Sequence, residues 1–183
     1  MRVFLLTSYP SLSFEGPNPT GFDSFIRDCS NHLSPADFAE LDAVCATPPE
    51  GKSAFARDWA EVLKKSNAHN SSERAQRLGL ADSPQKPFIE NNPLRGGLES
   101  AWNAPHPLQR EKILLRTLWD WIGERRRSRP FSLEDLMGYA LQLRILERMQ
   151  LWSESEGQIQ FQEHTQSFLE PVLEELRKQE LSA

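Results

Sequence analysis

Apolar residues recur at intervals of three and four along most of this chain, and the pattern breaks where Pro, Gly, Ser and Asn gather. Phe22, Phe25, Ile26 and Leu33, then Phe38, Leu41 and Val44, predict two helices, roughly 22 to 32 and 35 to 46, folded against each other across a tight turn. Thr20 with Asp23, and Ser34-Pro35 with Asp37, supply the expected starts: a cap oxygen, an acid in the first turn and, in the second, Pro at N1. Ser53 is expected to cap a third helix that buries Phe55, Trp59, Val62 and Leu63, with a break across Asn67 to Ser72 before a short piece from Glu73 to Leu78. A short helix follows Asn92-Pro93 towards Trp102. Leu108, Leu115, Leu118, Trp119 and Ile122 then mark a long amphipathic helix that ends near Arg127, ahead of Pro130. From Leu133 to Leu151 the apolar arc is wider than a surface helix needs, which makes this the expected central helix, capped by Ser132. A last helical segment carries Phe161, Phe168, Leu169, Val172, Leu173 and Leu176, with a kink expected at Pro171.

Only the N-terminus departs from helical spacing. Val3-Phe4-Leu5-Leu6-Thr7 suits a short strand, and Pro10, Pro17 and Pro19 then predict an extended arm. The fold class is therefore all-α: helical hairpins packed around a central buried helix, with a short extended or strand-like N-terminal segment. Residues 81 to 92, with Pro84 and Pro87, form the candidate linker between an arm with a helical lobe at 1 to 80 and a second lobe at 93 to 183.

Composition sharpens this picture by exclusion. At 183 residues, 38% hydrophobic and 26% charged, the chain is neither disordered nor collagenous, and it has no apolar run near the roughly 18 residues of a membrane helix. The apolar start is too short for a signal-peptide core, and two cysteines, Cys29 and Cys45, do not make a disulfide framework, so a cytoplasmic protein without direct membrane insertion is expected. The formal net charge is −5, all of it in the acidic stretch from Glu154 onwards. A neutral body with an acidic end lacks the basic face that nucleic-acid binding requires.

Candidate chemistry is sparse. Gly51-Lys52-Ser53 evokes a phosphate loop, but the position of the required first glycine holds Ala46 on a predicted helix, and a cap at Ser53 explains the serine. His32, His69, His106 and His164 show no metal-ligand spacing; Cys29 and His32 share a helical face but fit a buried thiol and a surface imidazole. There is no Gly-x-Ser-x-Gly, no dinucleotide fingerprint and no carboxylate pair to nominate as acid and base. No enzyme activity, cofactor or metal is expected. The one local concentration of charge is Arg125, Arg126, Arg127 and Arg129, at a helix C-terminus where the dipole itself favours cations by about 0.3–1 kcal/mol each. With Trp119 and Trp121 nearby as anchors, these arginines are the candidate partner-binding residues, for an acidic protein surface or, alternatively, for nucleic acid stacked on a tryptophan. The acidic C-terminal helices are the other candidate surface. Arg144 and Glu147, three residues apart on the central helix, are read as a structural ion pair.

Two stretches carry a resemblance. The first is Val3-Phe4-Leu5-Leu6-Thr7-Ser8-Tyr9-Pro10-Ser11-Leu12-Ser13-Phe14 with Phe22-x-x-Phe25 and Leu33-Ser34-Pro35-Ala36-Asp37-Phe38; the second is Trp119-Asp120 with the run from Pro130 to Arg148. Together they resemble an uncharacterised bacterial family encoded beside V/A-type ATPase subunits and, more distantly, helical segments of the ATPase C subunit (vacuolar d). The resemblance implies a helical accessory, stalk or assembly component that binds V/A-type ATPase subunits on the central-stalk or membrane-ring side. The chain is shorter than a C subunit, which has three helical repeats, and shows no clear repeat, so coupling, assembly and regulation all stay open.

Overall fold

The computed structural model describes residues 2–80 and 94–152, and every regular element among them is an α-helix. In chain order these are α1 (Arg2–Ser8), α2 (Phe22–His32), α3 (Pro35–Cys45), α4 (Ala54–Arg77), α5 (Arg95–Asn103), α6 (Pro107–Ser128) and α7 (Leu133–Gln150). The chain clusters into one compact unit over Met1–Glu147 and a second over Arg148–Ala183. The linker read at 81 to 92 and the final segment with Pro171 lie outside the described residues.

In the first unit, α1 with α2, α2 with α3, α3 with α4, α4 with α5 and α5 with α6 pack as successive neighbours. The α2–α3 hairpin has the expected bounds, with Phe22, Phe25, Leu41 and Val44 buried. Three predicted serine caps form: the Asp37 N–H donates to Ser34 Oγ at 3.2 Å, Ala56 N–H to Ser53 Oγ at 3.1 Å and Asp135 N–H to Ser132 Oγ at 3.2 Å. Helix α7 is the core helix, with eleven of its 18 residues buried.

Four local expectations are corrected. The N-terminal segment is a helix, α1, not a strand. A run of four apolar residues does not distinguish the two. No strand among the described residues offers it a ladder, and a helix pairs part of its backbone locally while burying only Leu5. Arg2 fastens it to Asp37 at 2.7 Å, and Arg2's hydrogen bond, aided by Ser34, holds the Asp37 carboxyl below the usual carboxylate range. Helix α4 runs unbroken through 67–72, because its buried stripe of Phe55, Trp59, Val62, Ser66, His69 and Ser72 keeps helical spacing after its side chains turn polar. Ser66 satisfies its hydroxyl on the Val62 carbonyl at 2.8 Å.

Thr20 does not cap α2. Gly21 stands at the cap with no side-chain bond, and the Phe22 N–H donates instead to Glu147 Oε1 of α7 at 2.6 Å. Arg144, one turn earlier on α7, donates to the Cys45 carbonyl at the end of α3 and lies 4.5 Å from the centre of the Phe22 ring. The expected Arg144–Glu147 ion pair is thus replaced by two separate tasks. The acid meets the positive end of α2 and the base the negative end of α3, where each charge suits the helix dipole.

An aromatic triangle completes the packing of the arm. Tyr9, Phe25 and Tyr139 lie with ring centroids 5.0–5.8 Å apart; the Tyr9 hydroxyl donates to Asp28, and that of Tyr139 to the Pro10 carbonyl at 3.0 Å. Cys29 and Cys45 are buried thiols; burial pushes each up to about 12, so neither is a thiolate near neutral pH.

The Gly51-Lys52-Ser53 turn has a different anion from the one its sequence evokes. Gly51 takes φ +144°, and the Lys52 and Ser53 N–H groups donate to Glu40 Oε1 at 2.8 and 2.6 Å. Burial works to raise the Glu40 pKa, but these hydrogen bonds outweigh it and the group is held low.

Two predictions follow from these helix ends. A carboxylate with a depressed folded-state pKa stabilises above its unfolded value of about 4.3 and loses that contribution as pH falls through the folded value. Glu40→Ala is therefore expected to cost about 1–2 kcal/mol at pH 7 and markedly less near pH 3, measured by urea denaturation at each pH. For α7, Arg144→Met and Glu147→Gln are expected to couple by no more than about 1 kcal/mol in a double-mutant cycle, through Phe22, which both touch. A larger favourable coupling would restore the ion pair.

Candidate functional site

The four arginines sit where α6 ends and α7 begins, and the structure gives them unequal roles. Arg125 pairs with Asp58 of α4 at 2.6 Å and covers Trp121. Arg129 pairs with Glu134 at 2.8 Å. Arg126 is drawn inward: its Nε donates to Asp135 Oδ1 at 2.7 Å and its Nη1 to Gln142 Oε1 at 2.5 Å, with the guanidinium 5.0 Å from the Tyr139 ring. Arg127 makes no hydrogen bond or ion pair among the described residues, and it is exposed.

The tryptophans are not surface anchors. Trp119 is 9% exposed and packs edge-on against Phe14 of the N-terminal arm; Trp121 is 6% exposed and stacks near Phe55 and Trp59 of α4. Both belong to the core that holds α6 in place. The sequence-level grouping of Trp119, Trp121 and four arginines therefore splits into buried packing residues, three internally bonded arginines and Arg127.

Gly138 explains how Arg126 reaches its partners. A Cβ there would lie 2.5 Å from Arg126 Cγ and 2.9 Å from its Cδ, so the absence of a side chain on α7 provides the channel in which the arginine lies. Asp135 closes the arrangement from the other side by accepting from the Phe131 N–H at 2.9 Å, and Gln142 donates to the Trp119 carbonyl at 3.3 Å. The network is only 22% and 11% exposed at the Arg126 and Asp135 side chains, and it joins α6, α7 and their connection.

That connection is the strained point of the fold. Phe131 has φ +60°, a left-handed conformation that a bulky side chain rarely adopts, and the residue is 51% exposed. It lines a groove of about 460 Å³ with Val3, Leu33, His32, Ser34 and the paired Arg2 and Asp37, beside the exposed Phe4, whose ring meets His32 edge-on. On the other side of the same connection, Pro130 helps wall a second cleft of about 350 Å³, with Trp119, Gly123, Arg126, Arg127 and Gln142. Neither the strained phenylalanine nor the groove was legible from spacing. Pro130 was the available signal, as a break in the helix rather than a surface.

No cluster of metal-ligating side chains occurs among the described residues, and no described helix is long and apolar enough to cross a membrane. No protein-family model matches the sequence, and neither a curated protein nor a solved structure was found to match it.

The network supplies its own test. Asp135→Ala strands a mostly buried guanidinium and is expected to cost about 3–5 kcal/mol in urea denaturation, whereas adding Arg126→Met is expected to recover a large part of that loss. Equal or additive losses would mean that the charges are not energetically linked.

Proposed function

We propose that this chain works by protein contact rather than by catalysis, as an accessory, stalk or assembly component of a V/A-type ATPase. The observation that carries a contact role is Phe131: a large apolar side chain held half-exposed at a positive φ, beside exposed Val3 and Phe4. Backbone strain and solvent exposure both work against a phenylalanine at this position, and a partner that covers the ring offsets both. The partner class comes from the resemblance, whose second stretch contains this connection together with Trp119, Asp135, Tyr139 and Gln142 of the network beneath it, though not Arg126. Such an assembly would hold the chain on the inner face of a membrane.

A nucleic-acid role draws less support from the same corner. Its stacking residues, Trp119 and Trp121, are buried, and three of its four arginines are bonded to Asp58, Asp135 and Glu134.

A tagged pull-down from gently solubilised membranes of the source cells tests the proposal. Stoichiometric V/A-type ATPase subunits are expected with the wild-type chain, and severalfold less with Phe131→Gly. Glycine relieves the positive φ, by about 1 kcal/mol, so that variant is expected to be at least as stable as the wild type in thermal melts. A chain that comes down alone would overturn the ATPase assignment, and undiminished recovery with Phe131→Gly would remove this corner from the interface.

A further inference from the structure

We propose that the cleft between α6 and α7 is a receptor for a single carboxylate side chain of a protein partner, gripped by Arg127 together with the outer edge of Arg126. This rests on the contact role proposed above and names the chemistry of the group that enters.

The cleft has a volume of about 350 Å³, enough for one side chain and part of its backbone. Its lining contains two aspartates and two arginines, and their bonding decides its charge. Asp120 accepts from Arg116 Nε through both carboxylate oxygens, at 3.1 Å each. Asp135 is bonded by Arg126 and by the Phe131 N–H. Once these carboxylates are matched, one positive charge is left over, that of Arg127, which pairs with no described residue.

Arg126 adds direction to this charge. Its Nε and Nη1 are fixed by Asp135 and Gln142, while its Nη2 carries no hydrogen bond among the described residues. A guanidinium fixed in this way offers the N–H groups of Nη2 with little further loss of freedom, as a second donor to a carboxylate oxygen held mainly by Arg127. Gly123 on the cleft wall lets the Arg127 guanidinium lie close against α6: a Cβ there would already be in contact with Arg127 Nη1 at 3.4 Å and with Gln142 Nε2 at 3.7 Å.

The same charge balance selects among anions. A carboxylate matches one unpaired guanidinium, whereas a phosphate near neutral pH brings up to two negative charges towards Asp120 and Asp135. Leu12, Pro130 and Trp119 line the rest of the cleft, so apolar residues beside the acid in the partner's sequence have surface to rest on. Pro130 of the cleft and Phe131 of the neighbouring groove are consecutive residues of the α6–α7 connection.

The test is an NMR titration of the full 15N-labelled chain, following the Arg Nε–H and Trp indole signals at constant ionic strength. The probes are the capped peptide Leu-Glu-Leu, its Leu-Gln-Leu counterpart and inorganic phosphate. Saturable shifts at Trp119 and Arg127 are expected with the Glu peptide, with affinity about tenfold weaker for the Gln peptide and for Arg127→Gln. Arg27→Gln, an exposed arginine on α2, is expected to bind as the wild type does. Because Arg127 makes no internal pair, Arg127→Gln is expected to melt with the wild type, which separates lost binding from lost folding. No saturable response, equal affinity for the Gln peptide, tighter binding of phosphate, or indifference to Arg127→Gln would each overturn the assignment. The peptide result is independent of the pull-down, so a cleft that binds carboxylate while no ATPase subunit is recovered would leave the receptor standing and dismiss only the named assembly.

Discussion

Beside the half-buried Glu147 and the exposed Arg144, helix α7 carries Asp135 and Gln142 where no water satisfies them. Leaving such groups unpaired costs about 1–3 kcal/mol apiece and more for charges. Each one finds its partner on another element: the Phe131 N–H and Arg126 for Asp135, Arg126 and the Trp119 carbonyl for Gln142, the Cys45 carbonyl for Arg144 and the Phe22 N–H for Glu147. The polar groups of the core helix thus fix where α2 begins, where α3 ends and how α6 turns into α7. Apolar burial alone would have left those placements free to slide by a turn.

The candidate site is a consequence of this arrangement. Asp135 and Gln142 hold Arg126 in the channel at Gly138, and Asp135 also pins the amide of Phe131. A left-handed phenylalanine persists only where its surroundings determine it from several directions, and here a buried carboxylate does so from below. The cleft on one side and the groove on the other share the connection that this carboxylate steadies. Rigidity in the core and exposure at the surface are produced by the same few bonds.

Much of this was legible in the sequence, and the gaps have physical causes. Helices α2, α3, α6 and α7 announce themselves by spacing, by Ser34 and Ser132 as caps, and by Pro130 as a stop. The far half of α4 was hidden because Ser66, His69 and Ser72 continue an apolar stripe with polar side chains, and a hydrophobicity pattern does not register them. Helix α1 was hidden because four apolar residues are fewer than a helical period needs to declare itself. The roles of Arg144 and Glu147 depend on Cys45 and Phe22, remote in sequence, so helical spacing suggested a pair where there are two caps. The arginine cluster was visible as composition, but Asp58, Asp135 and Glu134 decide which of its members remains available.

The turn at Gly51-Lys52-Ser53 is not a phosphate loop, yet it shares part of that chemistry. Its amides are arranged to hold an anion, and they hold Glu40. An oxyanion arriving from solution would have to displace a carboxylate tethered on the neighbouring helix, whose effective concentration is on the order of millimolar or higher. The chain is in this sense its own competitive inhibitor at that position. The amides that could cradle an anion from solution operate as an intramolecular clasp, closing α3 onto α4 before any ligand has a chance to enter.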